Sequence, residues 1–120
     1  MTILQILIAA LIIVESDGNP NAVGDKGQAI GILQIHPICV QDVNRILGEE
    51  KYTLIDRLDP IKSVEICIVY LNYYGKDKSV EQLARIWNGG PKGFKRKSTL
   101  PYWDKVKKVI EEIEEIKKIK

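Results

Sequence analysis

The feature that most constrains this chain is an apolar run near its start that ends in an acid. Residues 3–14 are apolar except for Gln5, and Glu15 follows them directly. A membrane-spanning helix needs about 20 apolar residues, so this run is too short. A signal peptide typically carries Lys or Arg ahead of its apolar segment, and none stands near Met1. Because the run is apolar on nearly every side, it predicts a buried helix at the centre of a domain.

Glycine, proline and capping residues divide the rest of the chain into further helices, without any repeat of about 20 to 50 residues. Hydrophobic residues make up 45% of the 120 residues and charged residues 28%, a balance that supports one buried core. The sequence predicts a mainly α, compact single domain over residues 1–120, with about five to six helices around the buried first helix. Helices are expected at about residues 3–16, 37–47, 60–74, 80–87 and from 101 onward.

The first helix must end at the turn formers that follow Glu15, and a polar segment begins there. Residues 17–30 contain three glycines and few apolar side chains. Connections of this length in a small domain are usually functional. An irregular active-site loop or a small ribbon is therefore expected at residues 17–30. The third helix is expected to run through Val64, Ile68 and Leu71 and to end before Gly75.

Cysteine and histidine are too few to indicate a metal or a disulfide framework. Cys39 and Cys67 are the only cysteines, each among apolar neighbours, and His36 is the only histidine. The spacing matches no metal-ligand motif, so neither a metal nor another cofactor is expected. Two buried free thiols are the expected state of the cysteines.

Charge is unevenly distributed along the chain, although the net charge is only +2. Residues 1–75 carry 5 basic and 9 acidic side chains, whereas residues 76–120 carry 13 basic and 7 acidic ones. The densest segment, residues 91–97, places four cations around Phe94. A solvated loop, a nucleic-acid contact and attraction to another anionic partner all remain open for it. The absence of any nucleic-acid recognition motif argues against the nucleic-acid contact.

Glu15 is the strongest catalytic candidate from physical chemistry alone. A carboxyl group at the end of a buried helix is expected to be partly desolvated, and burial raises a carboxyl pKa. A glutamic acid that stays protonated near neutral pH can donate a proton to a leaving oxygen. The alternative is that Glu15 lies in an exposed last turn and has no catalytic role.

Four segments in a fixed order add a family resemblance. Glu15-Ser16 precedes Gly-Ile-Leu-Gln-Ile at residues 31–35, and Ala-Arg-Ile-Trp-Asn-Gly-Gly at 84–90 and Thr-Leu-Pro-Tyr at 99–102 come later. Together they resemble the motifs of the lytic transglycosylase and goose-type lysozyme superfamily, which includes phage endolysins. The resemblance covers most of the chain. It implies an α+β lysozyme-like fold and cleavage of the β-1,4 bond between N-acetylmuramic acid and N-acetylglucosamine in peptidoglycan.

The resemblance also implies roles for individual residues. Glu15 would be the general acid/base. Substrate-binding roles are implied for Ser16, Gln34, Ile35, Trp87, Asn88, Gly89 and Tyr102. Polar side chains of these types can orient a sugar that carries hydroxyl and acetamido groups.

Two positions depart from the family pattern, and one further match bears on the reaction. Trp87 replaces the tyrosine of the third motif, so stacking or core packing is expected there. His36 stands where goose-type lysozymes carry an acid, and it is not placed in the catalytic set. Asp25, in Gly-Asp-Lys-Gly at residues 24–27, is similar to the aspartate that helps position water in goose-type lysozymes. It is the second catalytic candidate, with a turn-forming role as the alternative.

Three functions remain open at this stage. The preferred one is a muramidase that hydrolyses the bond with Glu15 and an Asp25-placed water; the others are a lytic transglycosylase that needs no second carboxylate and a non-catalytic peptidoglycan-binding module. The expected partner is the peptidoglycan glycan strand, with no nucleic acid and no stable membrane insertion, and a monomer is expected. With no clear signal peptide, a phage or bacterial protein released or delivered from the cytoplasm to the cell wall is expected. The basic segment would then be attracted to the anionic wall.

Overall fold

The computed structural model describes residues 1–119, and 71% of them are helical. Within this range, five α-helices and one two-stranded antiparallel sheet follow one another along the chain. The helices are α1 (Ile3–Ser16), α2 (Pro37–Leu47), α3 (Pro60–Tyr74), α4 (Val80–Gly89) and α5 (Leu100–Ile119), and the strands are β1 (Val23–Gly24) and β2 (Ala29–Ile30). Short 3₁₀ turns lie at Asp25–Gly27, Leu54–Leu58, Gly93–Lys95 and Lys97–Thr99. The predicted mainly α class is confirmed, with the small ribbon inside residues 17–30.

The chain forms two compact units, each with its own buried residues. The first unit comprises Met1–Val14 and Tyr74–Lys120, and the second comprises Glu15–Tyr73. The first contains most of α1 together with α4 and α5, and the second contains the ribbon, α2 and nearly all of α3. The prediction of a single domain over residues 1–120 stays a prediction.

Helix α1 is buried over a broad face. Leu7, Ala10 and Leu11 are fully buried, whereas Ile3 is 69% exposed and Ile13 is 42% exposed. The first helix is therefore a core helix, as its composition predicts, but not on every side. A helix that is apolar all round gives no sequence signal for the side that it leaves to solvent.

The predicted capping residues hold the helix ends. Oδ1 of Asp59 accepts hydrogen bonds from the backbone N–H groups of Ile61 and Lys62, at 2.9 and 3.2 Å, at the start of α3. At the start of α4, Ser79 and Gln82 form a reciprocal capping box, with hydrogen bonds of 2.9 and 3.2 Å. These side chains satisfy backbone donors that a helix start leaves unpaired, which explains why both boundaries could be predicted.

Helix α3 is buried along part of its surface. Leu71 is buried, but Val64 and Ile68 are only half-buried. The buried positions of this helix are Ser63, Ile66, Cys67, Tyr70 and Leu71. Helix α3 carries apolar residues on several sides, so its periodicity does not determine which stripe faces the core.

The surface of the described chain has two further features. Within residues 1–119, no helix is both long enough and apolar enough to cross a membrane. In the first unit, an apolar groove of about 390 Å³ runs between the starts of α1 and α4 and the middle of α5, with Ile6, Val80, Trp103 and Ile110 in its lining.

Candidate active site

Glu15 is the penultimate residue of α1 and is half-buried. Its charge acts on Cys67, a fully buried thiol of α3 in the same unit. Burial raises the pKa of Cys67 well above its ordinary value, and the neighbouring Cys39 and Glu15 add to that rise. The acid expected from sequence is therefore held close to the buried interior of the second unit. The expectation that burial raises the pKa of Glu15 itself stays a prediction.

Ser16 connects the end of α1 to the second motif. Its Oγ donates a 2.7 Å hydrogen bond to the carbonyl oxygen of Ile32 and accepts one of 3.1 Å from the N–H of Gly18. Ser16, the residue next to the candidate acid, thus joins the turn after α1 to the second motif. This is a positioning contact with the main chain, which the resemblance alone does not specify.

The ribbon has an unusual backbone. Val23 pairs with Ile30, and Gly24 pairs with Ala29. Four of the five non-glycine residues with positive φ in the described chain lie between residues 17 and 34: Asp17, Asp25, Lys26 and Gln34. Left-handed conformations cost free energy in residues with a side chain, and they persist where the surrounding structure holds them, often at functional sites.

Gln34 holds the ribbon to the second motif. Its Nε2 donates hydrogen bonds to the carbonyl oxygens of Ala22 and Gly31, each at 3.1 Å. Its Oε1 lies against Gly24, where any Cβ atom would clash with it. Both amide hydrogens are therefore engaged by the backbone. This favours a positioning role for Gln34 over direct contact between its amide nitrogen and a sugar.

Arg57 is a functional support that the sequence alone does not mark. One terminal nitrogen donates to the carbonyl oxygens of Gln28 and Ile35, each at 3.0 Å, and Nε donates to Leu54 at 2.9 Å. Gly31, at φ +85°, approaches the carbonyl of Arg57 so closely that a Cβ atom would overlap its oxygen. The glycine that opens the second motif is required both for its backbone angle and for this approach.

Asp25 contacts the one histidine of the chain. Its Oδ2 lies 3.1 Å from Nε2 of His36, with the aspartate side chain 65% exposed and the histidine side chain 41% exposed. His36 is the residue before α2, and its backbone is fixed by the first turn of that helix. The sequence places Asp25 in the catalytic set and His36 outside it. The structure brings the two together, a contact that the sequence does not indicate.

Ile35 is a core residue. Its side chain is 1% exposed, and its backbone exchanges hydrogen bonds with Ile30 at 3.1 and 3.2 Å. Its carbonyl also accepts the hydrogen bond from Arg57. A substrate-binding role for Ile35 stays a prediction that no contact here supports.

The remaining predicted site residues belong to the first unit. Trp87 and Tyr102 are half-buried, in the last part of α4 and the first turn of α5. Asn88 is exposed, so its amide is accessible to a ligand. Gly89 lies against Thr99, which a side chain at position 89 would strike. The structure therefore groups Trp87, Asn88, Gly89 and Tyr102 in one unit and Glu15, Ser16, Asp25, Gln34 and Ile35 in the other.

Neither cysteine is suited to nucleophilic chemistry. Both are free, and Cys39 is only partly buried. Burial, with a contribution from Asp42, raises the pKa of Cys39 to about 12, so its thiol stays protonated near neutral pH. Among the described residues, no group of three or more His, Cys, Asp or Glu side chains could hold a metal ion.

Comparison with known proteins identifies the family. Residues 2–110 match the model of the transglycosylase SLT domain, and the chain belongs to this family. Its members are peptidoglycan glycosidases and lytic transglycosylases, so the protein is an enzyme of this class that acts on the cell wall. The resemblance based on the four motifs is thereby confirmed. No curated protein matches the chain.

Proposed function

We propose that the protein is a muramidase that hydrolyses the β-1,4 bond between N-acetylmuramic acid and N-acetylglucosamine. Glu15 acts as the general acid, and Asp25 helps to place the attacking water. The observation that carries the hydrolytic assignment is the 3.1 Å contact between Asp25 and His36 in the strained ribbon. A turn-forming aspartate needs no such partner, whereas an aspartate that orients water benefits from one.

The first step is proton donation by Glu15. The carboxylic acid gives its proton to the glycosidic oxygen, the bond from this oxygen to C1 of N-acetylmuramic acid breaks, and the electron pair stays on the oxygen. The half-buried position at the end of α1 supports this role, since a partly desolvated carboxyl group retains its proton to higher pH. Glu15 is left as a carboxylate.

The second step is the attack of water on C1. Asp25 accepts one proton of this water through a carboxylate oxygen, and the oxygen forms the new bond to C1. His36 acts as a positioning residue, because its contact with Oδ2 restricts the aspartate side chain and leaves Oδ1 to face the water. The product carries a reducing end. Asp25 then releases its proton to solvent, and Glu15 takes up a proton from solvent.

The substrate-binding residues divide into two kinds. Ser16 and Gln34 act through the backbone that they hold, since their polar atoms bind the main chain. Asn88 contacts the substrate directly, because its exposed amide can both donate to and accept from an acetamido group. Trp87 and Tyr102 add aromatic surface for the sugar rings.

A lytic transglycosylase is the second candidate, favoured by the family match and by His36. A histidine in place of an acid leaves Asp25 as the one acid of that segment, and the transglycosylase reaction needs no second carboxylate. Here the 6-hydroxyl of N-acetylmuramic acid attacks C1 and its proton passes to the Glu15 carboxylate. The product is a 1,6-anhydro sugar, lighter by one water than the hydrolysis product.

Product mass tests the proposal. Purified peptidoglycan is digested with the protein, and the released muropeptides are weighed by mass spectrometry. The proposal predicts reducing ends. Products with 1,6-anhydro ends would establish the transglycosylase instead, and the absence of any release at all pH values would leave a binding module.

Asp25→Asn sharpens this test, with Asp77→Asn as its matched control. Both positions are exposed aspartates with positive φ, at +49° and +63°, so the two changes have similar effects on the backbone. For a hydrolase, Asp25→Asn is expected to lower kcat about 100-fold, in the range for loss of a general base, and Asp77→Asn to leave it unchanged. Equal activity in the two variants, with reducing ends still formed, would remove Asp25 from the mechanism.

A further inference from the structure

Six cations of the first unit have no ion-pair partner among residues 1–119. Lys76, Lys78, Lys92, Lys95, Arg96 and Lys97 each lack a carboxylate within 4.0 Å in the part of the chain that the structure describes. We refer to these six residues as the basic surface. Nearby Arg85 differs, because it is ion-paired to Glu81 at 3.0 Å and its side chain is only 12% exposed.

The loop that carries four of these cations is held by internal hydrogen bonds. Oγ1 of Thr99 lies 2.8 Å from the carbonyl oxygens of Gly93 and Arg96, to which it can donate, and accepts a 2.8 Å hydrogen bond from Nε of Arg85. A Cβ atom at Gly93 would clash with the carbonyl of Arg85. The backbone is therefore ordered before any ligand arrives, which lowers the entropic cost of binding.

Phe94 brings a fifth cation to the loop. Nζ of Lys78 lies 4.9 Å from the ring centre, and Nζ of Lys95 lies 5.5 Å from it. Both distances are in the range of cation–π attraction. Lys78 belongs to the segment before α4, so the ring gathers ammonium groups from two parts of the sequence.

The position of the loop in the chain relates it to the substrate. It begins directly after α4, which carries Asn88, and ends at α5, whose first turn carries Tyr102. A ligand of the basic surface is thus expected to be part of the same polymer. The glycan backbone of peptidoglycan is uncharged, but the peptide stems on its N-acetylmuramic acid residues carry free carboxylates.

We propose that the basic surface binds the carboxylates of the peptide stems and so gives the enzyme a preference for stem-bearing glycan strands. The proposal rests on peptidoglycan as the substrate, and it adds a second determinant beside the sugar contacts. Each exposed ion pair is weak and screened by salt, about twofold in affinity. Four of them acting together are expected to change KM about tenfold and to leave kcat unchanged.

The test compares two charge-neutralised variants. In the first, Lys92, Lys95, Arg96 and Lys97 are all changed to Gln. In the matched control, Lys105, Lys108, Lys117 and Lys118 of α5 are changed to Gln, which removes the same net charge from exposed positions elsewhere. Each protein acts on stem-bearing strands, and on the same strands after their stem carboxylates have been converted to methylamides, at low and high salt. All strands are first freed of phosphate-containing wall polymers.

The proposal predicts that the first variant raises KM about tenfold on stem-bearing strands at low salt, and that the control does not. On the amidated strands, the first variant and the unchanged protein should have the same KM. An equal loss on both substrates, or an equal loss in both variants, would contradict stem recognition. Absence of binding to these phosphate-free strands would contradict it as well.

Cosedimentation with insoluble peptidoglycan separates this proposal from the catalytic one. If the unchanged protein shows no turnover but the first variant binds about tenfold more weakly than the control, the catalytic proposal fails and stem recognition stands. If turnover is normal and the two variants bind equally, the catalytic proposal stands and stem recognition fails.

Discussion

The ribbon loop at residues 17–35 and the basic loop at residues 90–99 are built by the same device and differ in charge. In each, side chains donate hydrogen bonds to main-chain carbonyls of the loop. Gln34 and, from outside the loop, Arg57 hold the ribbon loop; Thr99 and, from outside the loop, Arg85 hold the basic loop. The ribbon loop pairs its acid Asp25 with His36, whereas the four cations of the basic loop have no carboxylate within 4.0 Å in the described part of the chain. Rigidity is thus common to both, and the charge pattern distinguishes a loop suited to orienting a reactant from one suited to binding an anion.

The largest structural effect is expected at Gly31 in the ribbon loop. Gly31→Ala adds the strain of φ +85° and a clash with the carbonyl of Arg57, so a loss of about 3 kcal/mol in the free energy of unfolding is expected. Gly27→Ala is the matched control: it has a similar φ of +91°, but a Cβ atom there meets nothing within 4 Å. Its expected cost is about 1 kcal/mol, from the backbone alone. Denaturant unfolding measures both, and equal losses would show that the close approach to Arg57 does not matter.

In the basic loop, the corresponding test is Thr99→Val. This change keeps the shape of the side chain but leaves Nε of Arg85 and two carbonyl oxygens without the hydroxyl, so a loss of about 2 kcal/mol is expected. Ser98→Ala removes an exposed neighbouring hydroxyl and is expected to change stability by less than about 0.5 kcal/mol. Similar thermal midpoints for the two variants would mean that the loop does not depend on Thr99.

Much of this comparison could be predicted from sequence, because local signals determine helix boundaries and turns. Ser79 and Asp59 are residue types that cap helix starts, and the glycines of residues 17–30 are typical of turns, so these boundaries are visible in the local sequence. The contacts that hold each loop in place join residues far apart in sequence, such as Arg57 and Gln28. No local sequence pattern encodes them. The Asp25–His36 pair lies between these cases, since both residues stand in motif segments but only folding shows that they touch.

The smallest effect is expected in the 3₁₀ turn that carries Arg57. The N–H of Thr53 and the ammonium of Lys62 hold the pKa of Asp56 below its ordinary value. A lowered pKa in the folded state stabilises the fold above the pKa of the unfolded chain, and this contribution is lost as the pH falls through the folded value. Asp56→Asn keeps an oxygen that can accept from Thr53 but removes the charge, so it is expected to cost about 0.5 kcal/mol at pH 7. The cost should disappear in strong acid, and a difference that persists unchanged at pH 2 would contradict this origin.

The most direct test of the catalytic assignment is the rate of peptidoglycan cleavage by Glu15→Gln beside Asp17→Asn. Both changes remove one carboxylate at the end of α1, but Asp17 is exposed and has no expected role in the reaction. Both variants are first shown to unfold at the temperature of the unchanged protein. Glu15→Gln is then expected to lose activity about a thousandfold, and Asp17→Asn to stay within about twofold of the unchanged protein. A folded Glu15→Gln variant that cleaves at an undiminished rate would show that Glu15 is not the general acid.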